Sequence, residues 1–237
     1  MCNIIEMPDS GPPNGFTKDQ ILFENSDLIA VNKPSGLLVH PYWSETNETE
    51  CLMKQLRDHL GHWVYVIGRL DRPVSGIVLF GKNKESVRVI KDLWHLPSTR
   101  KSYLLLVKGI IDEPGVFELP LTDDNKVKKE AETEYWPLEK FEKATLVKAQ
   151  ILTGRKHQIR RHFSTGMHQI IGDTKYGKGR YNQYYRDHFD LHRIFLHAHS
   201  LRIDDASGLK LLDVECSLPQ ELESTLNRLQ SDPDLLR

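Results

Sequence analysis

Cysteine is scarce. The 237 residues hold three, Cys2, Cys51 and Cys216, odd in number, widely spaced and with no CxxC pair. That excludes a disulfide framework and a cysteine zinc ribbon, and it predicts a chain that works in the reducing cytoplasm. No apolar run approaches the roughly 18 residues a membrane span needs. The first twenty residues contain Pro8, Pro12 and Pro13 and no apolar stretch of the kind a secretory signal carries. A full GxxxxGK(S/T) phosphate loop, GxGxxG, GxSxG and HExxH are all missing, so nothing signals a nucleotide cofactor, a serine hydrolase or a zinc protease. Internal repeats and low-complexity stretches are missing as well.

What is present is an ordinary globular composition, 39% hydrophobic and 27% charged, in a chain long enough to bury a sizeable core without staples. The net charge of −1 hides an asymmetry. Residues 151–202 hold ten Lys/Arg, three Asp and seven of the eleven histidines, net +7, while the remainder is net −8. Such a block is either a solvated face, the commoner case, or a surface that meets a polyanion.

Residues 1–20, rich in Gly, Pro and Asn, read as a loose leader. Short extended runs follow at Ile21–Glu24 and Leu28–Asn32, around the turn-prone Asn25-Ser26-Asp27. Residues 47–60 read as a helix capped by Asn47, with Leu52, Leu56 and Leu60 on one face and Gly61 as its stop. Val74–Phe80 reads as a strand, and 84–95 as a helix capped by Asn83, with Val87, Ile90 and Trp94 at helical spacing. Tyr103–Val107 is an apolar strand, and Glu134–Phe141 with Thr145–Leu152 a hairpin. A helix runs from near Lys156 to about Ser164, a strand covers Ile194–Ile203, and a last helix covers about 219–229. Mixed elements without a βαβα rhythm predict an α+β fold: one domain over 21–237, with a mixed, largely antiparallel central sheet flanked by helices.

Three clusters carry chemistry. In Gly68–Gly76, Arg72 precedes proline and is held out of the helical region, so Asp71 sits on a stiff loop suited to aiming one carboxylate. A turn-making aspartate is the plainer alternative. In Lys101-Ser102-Tyr103 the tyrosine opens an apolar strand, where packing alone would explain it. In Thr153–Phe163, Gly154 supplies a strand-to-helix turn and Arg155, Lys156, Arg160 and Arg161 crowd the helix start. Cations are unfavourable there unless a carboxylate or phosphate meets them. His188 with His192, and His197 with His199, have spacings able to ligate a metal, but no carboxylate or cysteine partners them in sequence, and no metal site is expected.

Together these residues resemble a family. Arg69-Leu70-Asp71-Arg72-Pro73-Val74-Ser75-Gly76 is similar to the catalytic loop of the RluA-type pseudouridine synthases. Asn32–His40 resembles their N-terminal motif, Lys101-Ser102-Tyr103 with Gly109 their tyrosine strand, and Thr153–His162 their arginine motif. Ile171-Gly172-Asp173 and Leu196-His197-Ala198 complete the family's order, and the similarity spans about residues 21–215. Gly68 stands where the family usually has His, and Val74 where it usually has Thr. No S4 RNA-binding module is expected before the first motif.

The resemblance implies a pseudouridine-synthase domain and an isomerisation. The N1–C1′ bond of a uridine breaks, the base turns over, and C5 bonds to C1′. No electrons or groups are exchanged with solvent, so no cofactor is implied. It implies Asp71 as an ionised nucleophile paired with Arg160. Tyr103 would stack on the target base and take the C5 proton, and Arg69 would fill the gap left by the extruded base. Arg155, Lys156, His157 and Arg161 would hold RNA phosphates. The Arg160-Arg161-His162 run and the Tyr/His-rich stretch 176–192 are most similar to the branch that modifies uridine 65 of tRNA. Transfer RNA is therefore the expected partner, with ribosomal RNA or another tRNA uridine as the alternative; neither a membrane nor a protein partner is expected. A non-catalytic RNA-binding module and a histidine–metal hydrolase are the rival classes, and the intact Asp71, Tyr103 and Arg160 argue against the first.

Overall fold

Seven consecutive residues, Ser75–Gly81, are buried throughout and form a strand, as an apolar run does in a sheet covered on both faces. In a computed structural model, which describes residues 16–41 and 50–231, this strand lies inside a ten-stranded sheet. The elements are β1 (Ile21–Glu24), β2 (Leu28–Lys33), α1 (Leu52–Leu60), β3 (Tyr65–Val66), β4 (Ser75–Gly81), α2 (Lys84–Leu93), β5 (Thr99–Lys108) and β6 (Gly115–Phe117). They continue with β7 (Leu121–Thr122), β8 (Lys128–Lys129), β9 (Thr133–Lys140), β10 (Ala144–Ile151), α3 (Gln158–Thr165), α4 (Gly179–Phe189), β11 (Leu196–Asp204), β12 (Lys210–Glu215) and α5 (Gln220–Ser231). The sheet runs β1-β2-β4-β11-β5-β10-β9-β6, with β12 joined to β11 and β3 to β4; β7 and β8 form a separate ribbon. Among the described residues only β4 and β11 pair in parallel, through His197 opposite Ser75 and Ala198 opposite Gly76. The expected α+β fold, one domain with a mixed, largely antiparallel sheet, is what forms.

Alternation along β5 shows how the layers close. Leu105 and Val107 pack on one face with Ile159 and Phe163 of α3. Leu106 packs on the other with Tyr185 and Phe189 of α4 and with Leu222 and Leu229 of α5. Farther along the sheet, α2 covers Ile77 and Leu79, and α1 covers Val78 and Phe80.

Several elements differ from the sequence reading. Helix α1 begins at Leu52 with Cys51 at its N-cap; the expected cap, Asn47, lies outside the described residues. Residues 1–15 of the expected leader lie outside them too. Phe16 packs on the His59 ring, and Gln20 donates to Asn32 O. The reading had no place for α4, β12 or the short strands. Helix α4 is rich in Tyr, Asn and Gly, poor helix formers; it is held by burying Tyr185 and Phe189 and stops at Asp190, in the left-handed region. Strand β12 returns along β11 through a turn in which the Asp205 carboxylate accepts from Ser207 N and Leu209 N. Cys51 and Cys216 are buried free thiols. Among the described residues no helix is long and apolar enough to cross a membrane.

The parallel contact depends on one glycine. Gly76 has φ +110, and a Cβ there would overlap Ala198 O and come 2.7 Å from Ala198 N. Gly76→Ala should destabilise the fold by about 3 kcal/mol or more, from overpacking plus backbone strain. Urea unfolding checks this as a lowered midpoint at unchanged slope.

Candidate active site

Asp71 sits where the chain leaves β3 for β4, in a loop held by its own turn and by its neighbours. Val74 N donates to Asp71 O at 3.0 Å, closing the turn. Gly36 N donates to Arg72 O at 2.9 Å, Arg72 Nε donates to Gly36 O at 2.8 Å, and Ser35 Oγ donates to Pro73 O at 2.8 Å. Beneath them lies Lys33, fully buried at the end of β2. Its ammonium donates to the carbonyls of Pro34, Leu37 and Arg72. Three carbonyl dipoles thus hold one cation, and the cation holds the Asp71 loop to the sheet. Burial, reinforced by the charge of Arg193, pushes Lys33 down to about 7, against the pull of Asp71.

The second wall is the start of α3. Gln158 fixes it: its Oε1 accepts from Thr153 Oγ1 and Arg155 N, and its Nε2 donates to Glu132 O and Thr133 Oγ1. Gly154 is not the left-handed residue of this turn. His157 is, at φ 54, immediately before the helix. With Ile159 and Phe163 in the core, Arg160 points between two carboxylates. Its Nε and Nη2 fork onto Asp173 at 2.8 and 2.9 Å, and Nη1 donates to Asp71 Oδ2 at 2.8 Å.

Asp173 is buried on a turn whose backbone bridges the sheet, with Ile171 N donating to Leu106 O and Phe195 N to Ile171 O. Asn182 of α4 donates to Asp173 O and accepts from Gly172 N. Burial acts to raise Asp173, but the Arg160 hydrogen bonds and the amides of Tyr176 and Lys175 outweigh it and hold the carboxyl below the usual range. Burial likewise opposes the charge of Arg160, and the two carboxylates more than offset it, raising its pKa.

Asp71, Tyr103, Arg160, Arg69, Arg155, Lys156 and His157 all line one cleft of about 570 Å³. Arg161, expected among the RNA contacts, is absent from that lining; its Nη1 donates to Thr122 O and braces β7. Lys156 reaches Asp124 at 2.8 and 3.0 Å, and Arg155 Nε donates to Glu130 O, so the loop around β7 and β8 is tied to the helix start. His157 Nδ1 lies 2.9 Å from Tyr176 Oη and its Nε2 3.7 Å from Asp71; burial lowers its pKa despite the pull of Asp71. Tyr103 lies in mid-strand rather than at a strand start. Burial and then the Asp71 charge raise its pKa, so the phenol keeps its proton at neutral pH. His40, Trp94, His95 and Lys101 also line the cleft, although sequence reasoning gave them no role there. Lys33 and Asp173 were inside quoted motifs but had no assigned task.

The paired histidines have other partners. His188 stacks on Tyr184 at 4.4 Å and His192 pairs with Asp190. His197 Nε2 donates to Cys216 O, so its Nδ1 accepts from Ser75 Oγ; burial pushes it down to about 4 and keeps it neutral.

With this geometry in hand, the chain was compared with known proteins. A family model described as RNA pseudouridylate synthase matches residues 27–165. A tRNA pseudouridine synthase C of Vibrio parahaemolyticus is 33% identical, over 92% of this chain and 98% of its own. One of Vibrio cholerae is 36% identical over the same shares. Among solved structures, human RNA pseudouridylate synthase domain containing 4 aligns with a TM-score of 0.72 at 25% identity, covering 90% of this chain and 93% of its own.

The Lys33 clamp has a pH signature. The folded value of about 7 lies below the 10.5 of an exposed lysine. Between those values the unfolded chain binds more protons, so Lys33 makes stability rise with pH. In urea titrations, wild type should therefore gain stability relative to Lys33→Met from pH 7 to pH 10, with a flat difference below pH 7. A difference that stays flat over that window would mean that the carbonyl cage holds the ammonium at or above the ordinary lysine value.

Proposed function

The chain belongs to the RNA pseudouridylate synthase family, and from that premise we propose that it isomerises uridine 65 of transfer RNA, with Asp71 as nucleophile. The observation that carries this is the state of Asp71. One carboxylate oxygen is tied to Arg160, the side chain is a quarter exposed at the cleft, and among the described residues nothing in the protein hydrogen-bonds its Oδ1. A carboxylate held at one oxygen and open at the other is oriented, paired with a cation and available to attack.

A group that adds to the nucleoside and leaves again makes the reaction catalytic with the chain's own residues. The N1–C1′ bond breaks, the freed base turns over, the C5–C1′ bond forms, and the C5 proton departs while N1 takes one up, so the formula is unchanged. Tyr103, protonated at rest and walled against Asp71, supplies a ring to stack on the extruded base and an oxygen to accept that proton as its own moves on. Arg69, in contact with His40 Nε2 at 3.1 Å, stands at the cleft edge to occupy the space the base vacates. Arg155, Lys156 and His157 take phosphates. A cytoplasmic site of action goes with this reading.

Support for transfer RNA comes from the names of the relatives and from the basic block, net +7 over residues 151–202. A compact block suits a short footprint on one structured RNA, with binding that weakens steeply in salt.

The test is Asp71→Asn on purified tRNA in competition with ribosomal RNA fragments. Wild type should modify the tRNA. The variant should bind it almost normally and form no pseudouridine, because the amide keeps the shape and loses the nucleophile. Activity within about tenfold of wild type, a barrier change of only ~1.4 kcal/mol, would remove Asp71 from that role. Modification confined to the ribosomal fragments would move the substrate there.

A further inference from the structure

Trp94 ends α2 as its C-cap and turns its indole into the cleft wall. The ring is pinned. A Cβ on Gly68 would come 2.6 Å from the indole Cζ2, so the aromatic edge occupies the space a side chain at 68 would need. Lys101 Nζ donates to Trp94 O at 2.8 Å and lies 5.1 Å from the ring centroid.

This wall and the Asp71 site are two parts of one cleft. Gly68, Trp94 and Lys101 line a smaller hollow together with Arg69, Leu70 and Tyr103. Asp71, His157 and Arg160 line another that shares those three residues. Both open into the large cleft. The charge around Trp94 is unbalanced. Among the described residues no carboxylate pairs with Lys101 or Arg155, whose side chains donate to the carbonyls of Trp94 and Glu130. His95, beside them, feels both charges. A fixed aromatic face next to uncompensated cations matches one chemistry, a nucleotide: base on the ring, phosphate toward the charge.

We propose that Trp94 is a specificity-determining platform on which the base of a nucleotide flanking the target uridine stacks, with its phosphate toward Arg155. Gly68 is the residue that makes room for it. The inference rests on the reading of the chain as an RNA uridine isomerase and adds the recognition of a second base. Tyr103 holds the target, Trp94 its neighbour.

The experiment uses a tRNA hairpin with 2-aminopurine placed in turn at each position within two of the target uridine, bound to the full chain carrying Asp71→Asn. At one position binding should quench the fluorescence. The quench should vanish in the Trp94→Leu background, which keeps apolar packing without a π-face, and persist in Trp94→Phe. In the active chain, Trp94→Leu should raise KM for the unlabelled hairpin about tenfold or more, the size of one base–aromatic stack, with kcat within about threefold. The same fluorescence change with Leu at every position, or a loss confined to kcat, would overturn the proposal. A wild-type chain that binds the hairpin without forming pseudouridine would sink the uridine reading and leave the fluorescence to decide Trp94. A chain that binds no RNA would sink both.

Discussion

A guanidinium held between two carboxylates organises the cleft. Arg160 is 6% exposed, and withdrawing such a cation from water costs several kcal/mol. Three charge-assisted hydrogen bonds, two to Asp173 and one to Asp71, replace the lost water. The arrangement has a direction. Asp173 is buried and takes the fork, while Asp71 is partly exposed and takes a third N–H. The excess negative charge of the trio therefore sits at the end that faces the cleft. Removing Arg160 strands the buried Asp173 carboxylate, at roughly 3–5 kcal/mol.

The trio comes from three distant stretches, and close backbone approaches bring them together. Gly76 lets β4 lie against β11 beside Ala198. Gly172, at φ +79, lets the Asp173 turn press on Arg193 O. Asn182 of α4 then holds that turn from behind, and Lys33 holds the Asp71 loop from below. Each charged group thus has a supporting layer of hydrogen bonds, which is what aiming a carboxylate to a fraction of an ångström requires. The loop around β7 and β8, tied through Lys156–Asp124 and Arg161–Thr122, closes the far side of the helix start.

Much of this was legible before the structure. The β5 strand, the β9–β10 hairpin, α2 with its Asn83 cap, and α3 with Ile159 and Phe163 inward all follow from periodicity and capping. The crowding of cations at the start of α3 correctly pointed to a partner for Arg160. Which partner was not legible from charge alone, because Asp71 lies 89 residues away and only the closed sheet brings it near. Helix α4 escaped detection because tertiary burial, not propensity, holds it; with it went the reason for Asp173. Arg161 looked equivalent to Arg160 in sequence, yet one residue is 100° around a helix, enough to send it to Thr122. The turn expected at Gly154 forms, and His157, which the sequence did not single out for it, takes its left-handed conformation.

The central claim is that Arg160 works by geometry as well as charge, one planar group serving two carboxylates at once. Pseudouridine formation by Arg160→Lys tests it most directly. Lysine keeps the positive charge but has no planar fork, so it can satisfy Asp173 or Asp71 and not both. The account predicts a folded variant with turnover reduced by about a hundredfold or more, roughly 2.7 kcal/mol in barrier. Turnover within a few-fold of wild type would contradict it, and would reduce the Asp173–Arg160–Asp71 chain to simple charge neutralisation.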